Sequence, residues 1–315
     1  MIRRSIIISI LGTKLSMREK ELIKRYKPWG VILFKRNIKN VVQLKKLISS
    51  IRFTIKDKKY PILIDEEGGS VSRLSNLINN KIFSQNLFGK IYETNNKIGI
   101  NIYNQYNTSL IKILKNVGIN INTVPVLDIN YKYTNKIIGS RSYSNKIDTI
   151  KKLGLACVNI YKKNKISTMI KHLPGHGRAK TDSHLKLPTI NTSIKKLKQN
   201  DFKVFKNIKS HFAMTAHILY RKIDNKNCAT HSKKIILQII RKKIGFKGII
   251  ISDDVSMKAL KYDLVTNSLK SLNAGCNLVL YCAGKYTDSL KLLKKIPLID
   301  NFTIKKTSEF YKFLS

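Results

Sequence analysis

Eight short runs of apolar, largely β-branched residues recur along the chain, each bounded by polar or turn residues. They are Ser5–Leu11, Gly30–Lys35, Pro61–Asp65, Asn120–Asp128, Ser167–Lys171, His211–His217, Gly248–Ser252 and Asn277–Cys282. Near-continuous apolar runs of this length read as strands covered on both faces. Between them lie segments with apolar residues at helical spacing: Ser16–Tyr26, Val41–Ile55, Asn96–Asn116, Thr149–Lys163, Ser193–Ile208, Ser232–Lys243 and Thr266–Ala274. Strands alternating with amphipathic helices predict an α/β protein with a parallel sheet. Eight such units favour a single closed (β/α)8 TIM-type barrel over an open doubly wound sheet. No GxGxxG follows the first run and no GxxxxGK[ST] occurs, which argues against the nucleotide-binding α/β folds. The stretch after Ile299 is short, so residues 1–315 are expected to form one barrel domain with no second domain.

Composition sharpens this picture in one respect and confuses it in another. Hydrophobic residues make up 43% of the 315, enough for a real core and too many for a disordered basic tail. Against that, 61 Lys+Arg face only 18 Asp+Glu, for a formal net charge of +43. One explanation is a nucleic-acid or anionic-membrane binder held by counterion release. The other is a coding bias toward Lys, Ile and Asn. The basic residues comprise 50 Lys and 11 Arg, spread over the whole chain, and stretches such as Asn95-Asn96-Lys97-Ile98-Gly99-Ile100-Asn101-Ile102 share the same bias. Specific phosphate and base readers lean on the bidentate fork of Arg. No specific nucleic-acid partner is therefore expected. No apolar stretch reaches the roughly 18 residues of a membrane span, so no membrane partner is expected either. Arg3-Arg4 followed by an apolar run imitates a short signal peptide, but the run is minimal and no small-residue cleavage site follows. A buried first strand accounts for it. Cys157, Cys228, Cys276 and Cys282 show no CxxC spacing, which fits a reducing, cytoplasmic setting.

Barrel active sites are built where strands end, so the residues at those ends carry the candidate chemistry. The third run ends in Asp65-Glu66-Glu67-Gly68-Gly69, with Arg73 close behind. The fourth ends at Asp128 and leads to Gly139-Ser140-Arg141. The fifth passes into Lys171-His172-Leu173-Pro174-Gly175-His176-Gly177 and a polar loop holding Asp182-Ser183-His184. The sixth ends at His217 and the seventh at Asp253-Asp254. In a chain so poor in acids, the collection of carboxylates at strand ends is a signal. A rigidly held carboxylate such as Asp253 suits a nucleophile, while either member of the pair could also cap the next helix. His172 and His176 have metal-pair spacing, but Pro174-Gly175 between them breaks a helix, and no HExxH is present. No metal and no cofactor are expected. Asp182 and His184 could meet as a carboxylate–imidazole pair for acid/base work.

Three ordered blocks resemble glycoside hydrolase family 3, in its single-domain bacterial β-N-acetylglucosaminidase branch. They are Ile64-Asp65-Glu66-Glu67-Gly68-Gly69, the Lys171–Gly177 block with Asp182-Ser183-His184, and Ser252-Asp253-Asp254-Val255-Ser256-Met257. The likeness runs from Gly30-Val31-Ile32-Leu33-Phe34 to Asn273-Ala274-Gly275-Cys276. Leu173 stands where the family more usually has an aromatic, and Tyr143 where it often has Phe. The resemblance implies that Asp253 is the nucleophile of a retaining glycosidase, His184 its acid/base and Asp182 the partner of that imidazole. It also implies that Asp65, Arg73, Arg141, Lys171 and His172 hold the sugar. The substrate it implies is a small N-acetylglucosaminide, in particular a cytoplasmic muropeptide of peptidoglycan recycling, cleaved by a monomer. A β-glucosidase or a phosphorylase on the same site is the alternative enzyme. A basic nucleic-acid-binding barrel without catalysis is the alternative of another class.

Overall fold

Ile7 pairs with Gly30 on one side and with Leu280 on the other, and this double pairing of the first strand closes the sheet into a barrel. The computed structural model describes residues 2–183 and 185–315. The barrel strands are β1 (Arg4–Ile8), β2 (Pro28–Leu33), β3 (Ile62–Ile64), β4 (Ile121–Asn122), β5 (Ser167–Leu173), β6 (Phe212–Thr215), β7 (Ile249–Asp254) and β8 (Leu278–Tyr281). All neighbours run parallel, in chain order around the ring. The expected (β/α)8 architecture is therefore the one observed, and each of the eight apolar runs overlaps a barrel strand.

Two apolar layers hold the barrel together. Ile7, Ile32, Leu63, Met169, Ile249 and Leu280 fill its interior. The outward-facing residues of the strands pack against surrounding helices, among them Val41–Ile55, Asn96–Val117 and Ile147–Lys163. Ser16, Asn40 and Asp263 accept backbone N–H groups at the starts of their helices, which fixes where three of them begin. The C-terminal helix Asn301–Leu314 closes the floor of the barrel. There Trp29 donates from Nε1 to Thr307 Oγ1 at 2.9 Å, and Phe310 meets the Phe212 ring edge-on at 5.1 Å.

Three features depart from the expected layout. The ladder of β4 is only two residues long. Beyond it Pro125 has no N–H to give, and Val126 rejoins through a single bridge to Lys171. The helix expected over Ser193–Ile208 stops at Gln199, because Asp201 turns inward to meet Arg178 Nε at 2.7 Å. Helices Gln85–Thr94, Tyr286–Lys295 and Asn301–Leu314 are additions. Among the described residues no helix is long and apolar enough to cross a membrane.

Candidate active site

The C-terminal ends of the strands surround a cavity of about 240 Å3. Six residues singled out in the sequence line it: Asp65, Arg73, Arg141, Lys171, His172 and Asp253. Asp65 follows β3 directly, and Lys171 and His172 lie within β5, so rigid strands aim these side chains inward. Lys171 is the hub. Its Nζ lies 2.5 Å from Asp65 Oδ1 and 2.6 Å from Glu67 Oε1, with its side chain only 2% exposed. Arg73 donates from Nη2 to Asp65 Oδ2 at 3.0 Å, and Thr123 donates to the other oxygen of the same carboxylate. Arg141 grips Glu67 through two bonds of 2.8 Å and approaches His172 Nε2 at 3.5 Å. On its far side the His172 ring meets Asp128, Nδ1 to Oδ2, at 2.7 Å.

These contacts set the charges. Burial alone would raise the pKa of Asp65, but Lys171 and then Arg73 outweigh it and hold the carboxylate far below its ordinary value. Burial likewise opposes ionisation of Glu67, and Arg141 with Lys171 reverses it; for Asp128, His172 does the same. Asp253 at the end of β7 is the acid that faces the cavity with no cation in direct contact among the described residues. Burial pushes its pKa up, but His217, His172, the Asp254 N–H and Lys171 together bring it below the ordinary value. A carboxylate that is ionised, held by a strand and free to touch a ligand is suited to nucleophilic attack. Asp254 turns away. Its carboxylate accepts from Ser256 and from the Cys282 N–H, so it braces the strand end rather than the cavity.

Glycine is required where the Lys171–Gly177 block crosses the neighbouring loop. A Cβ on Gly177 would lie 1.9 Å from the Ile129 carbonyl oxygen. The loop beyond is anchored by Arg178, which pairs with Asp201 and lies 4.3 Å over the Tyr131 ring. Asp182 sits in a turn, its carbonyl accepting from the Leu185 and Lys186 N–H groups. His184 lies outside the described residues.

Residues 4–307 match the family described as Glycosyl hydrolase family 3 N terminal domain. The chain belongs to glycoside hydrolase family 3. It is 30% identical over 282 residues to the Beta-hexosaminidase of Methylobacillus flagellatus, covering 88% of this chain and 80% of that protein. The Beta-hexosaminidase of Haemophilus influenzae is 30% identical over 304 residues, covering 93% of this chain and 85% of that protein. NagZ from Neisseria gonorrhoeae, in complex with N-trifluoroacetyl-D-glucosamine, superposes with a TM-score of 0.87 at 28% identity. That likeness covers 100% of this chain and 91% of that one.

Within this family 3 barrel, several working residues went unassigned in the sequence. Glu67 is the most important, because it neutralises both Arg141 and Lys171. Its signal was available: on an extended segment, positions 65 and 67 point to the same side. Asp128 was visible at a strand end, but not its hold on His172. Glu66 points the other way and ties down the following loop, accepting from the Arg73 and Leu74 N–H groups. His217 does not line the cavity. It supports β7 from behind, with Nε2 3.0 Å from the Asp254 carbonyl oxygen. Among the described residues no group of three or more His, Cys, Asp or Glu is placed to hold a metal ion. A larger cavity of about 600 Å3 lies at the opposite end of the barrel, around Ser167, His211 and Gly248. It gathers lysines and apolar walls with no pair of carboxylates, so the chemistry belongs to the smaller one.

Proposed function

We propose that this chain is a retaining β-N-acetylglucosaminidase that removes terminal β-1,4-linked N-acetylglucosamine from muropeptides through a covalent glycosyl-enzyme. The observation that carries this reading is Asp253. It is an ionised carboxylate at the end of β7, facing a sugar-sized cavity walled by Asp65, Arg73, Arg141, Lys171 and His172. Ion-paired donors and acceptors of this kind hold sugar hydroxyls in fixed directions and spend binding energy on position. In the first step an Asp253 oxygen bonds to the anomeric carbon while the glycosidic C–O bond breaks, and the leaving oxygen takes a proton from His184. In the second, water bonds to that carbon, the bond to Asp253 breaks, and the water's proton returns to His184. Asp182 orients the imidazole and favours its protonated form. Relatives named Beta-hexosaminidase over most of the chain support the N-acetyl sugar. Four cysteines without disulfides suit a reducing cytoplasm, and residues 1–315 act in this reading as one monomeric barrel.

The test is fluorescent release from an aryl β-N-acetylglucosaminide by the wild type and by Asp253→Asn. Turnover that falls by at least about 10³-fold in the variant supports the reading. A folded wild type that releases nothing overturns it. Free N-acetylglucosamine as product identifies a hydrolase, and the 1-phosphate formed in phosphate buffer identifies a phosphorylase.

A further inference from the structure

The proposed chemistry gives His176 no task, yet this residue is buried to 3% exposure in the wall of the site cavity. Its backbone N–H donates to Asp128 Oδ1 at 2.5 Å, and the other oxygen of that carboxylate lies 2.7 Å from His172 Nδ1. One carboxylate beyond β4 therefore places both imidazoles. The two rings meet edge-on, with centroids 5.6 Å apart. On its outer side His176 Nε2 lies 3.1 Å from Ser183 Oγ. Ser183 is itself buried, lines the same cavity, and stands in the chain between Asp182 and His184.

The protonation of the ring follows from its two nitrogens. Nδ1 is buried and makes no hydrogen bond to the described residues. A proton there would be a buried donor without an acceptor, whereas a proton on Nε2 is donated to Ser183 Oγ. Burial first and then the neighbouring His172 push the pKa down to about 4, against the pull of Asp128, so the ring is neutral near pH 7. A neutral imidazole with a low pKa is a poor acid/base at that pH and a good fixed donor.

We infer that His176 is a positioning residue for the acid/base step: its Nε2–H fixes Ser183, the residue between Asp182 and His184 in the chain, in the wall of the sugar cavity. This rests on the hexosaminidase reading above. Ser183 directly precedes the proposed acid in the chain, so loss of the His176–Ser183 link loosens proton delivery rather than the nucleophile.

The experiment compares the full-length wild type, His176→Phe, His176→Gln and Ser183→Ala on two aryl β-N-acetylglucosaminides. One carries a 2,4-dinitrophenyl leaving group, which departs with little need of a proton, and the other a 4-methoxyphenyl group, which needs one. For His176→Phe and Ser183→Ala, the loss of kcat/KM on the methoxyphenyl substrate is expected to exceed that on the dinitrophenyl substrate by about tenfold or more. His176→Gln, whose amide can donate in place of Nε2, is expected to recover most of that difference. A double variant combining His176→Phe with Ser183→Ala is expected to lose no more than either single one, since both remove the same link. Equal losses on the two substrates mark His176 as packing alone and overturn the inference, as does no loss in either variant. A wild type that turns over neither substrate overturns the hexosaminidase reading and the inference together. If His176→Phe fails to fold, Ser183→Ala, which removes one oxygen, carries the same comparison.

Discussion

Arg141 holds Glu67 with both arms of its guanidinium, Nε to Oε2 and Nη2 to Oε1, each at 2.8 Å. Glu67 also takes Lys171, so a single carboxylate with a 1% exposed side chain balances two buried cations. Glu67→Gln would leave Lys171 paired with Asp65, and Arg141 with only the more distant charges of Asp65 and Asp128. Breaking a buried pair from one side typically costs about 3–5 kcal/mol. Urea unfolding is expected to show a loss of that order with an unchanged m-value. A loss below about 1 kcal/mol would mean that water reaches and solvates the pair.

The pH dependence of turnover separates the nucleophile from the imidazole. Asp253 lies below its ordinary value of 3.8, so it is already ionised at pH 5 and contributes no limb between pH 5 and 8. In the proposed mechanism a bend in that range is assigned to His184 as the acid/base. A carboxylate partner raises an imidazole pKa, so Asp182→Asn is expected to move the alkaline limb of kcat/KM to lower pH. An alkaline limb that stays in place in Asp182→Asn removes the proposed partnership with His184.

Much of this architecture was legible in the sequence because barrel strands are buried on both faces. A run such as Gly30–Lys35 cannot be mistaken for a half-exposed strand, and its alternation with helices leaves few topologies. Asp65, Lys171 and Asp253 were legible for a related reason: a charged residue at the end of an apolar run lies at the barrel rim, and these three line the cavity there. Asp128, Glu67 and His176 were less so. Their roles lie in contacts between β3, β4 and β5, across 44 residues for Asp128–His172 and 74 for Glu67–Arg141, and spacing along one chain does not encode such pairings. Asp201 was missed likewise, since the helix it interrupts looks continuous until Arg178 arrives from another loop. The C-terminal helix was hidden by its polar composition. Only Thr303, Thr307 and Phe310 of it are fully buried, too few to give a clear apolar face.

A second acid-sensitive feature lies far from the site. His211, beside Ser167 Oγ at 2.9 Å, has its pKa lowered from 6.5 to about 4, by burial first and then by Lys162. Between those values the unfolded chain binds a proton that the folded chain does not, so stability rises with pH across the window and is lost as pH falls from 6.5 toward 4. His211→Phe removes this titration. The slope of unfolding free energy against pH in that window is expected to fall by up to one proton. An identical slope in wild type and variant would mean that His211 takes up its proton without unfolding.

The floor of the barrel offers a test that separates folding from chemistry. Phe310 is fully buried on the C-terminal helix, 5.1 Å from Phe212 and 6.3 Å from Trp29, and the neighbouring Thr307 accepts the indole N–H. Phe310→Ala opens a cavity beneath β2 and β6, at the end of the barrel opposite Asp253. Truncating a buried Phe costs about 3–5 kcal/mol, because the lost transfer energy adds to that of a void which neighbours only partly fill. The variant is expected to unfold at lower urea by that amount, while kcat at 25 °C on an aryl N-acetylglucosaminide stays within about twofold of wild type. A small stability loss would mean that the helix is peripheral and the floor is closed by Trp29 and Phe212 alone. A large fall in kcat with full folding would show that strain at the floor reaches the strand ends, in which case the barrel is not the rigid support that the placement of Asp253 requires.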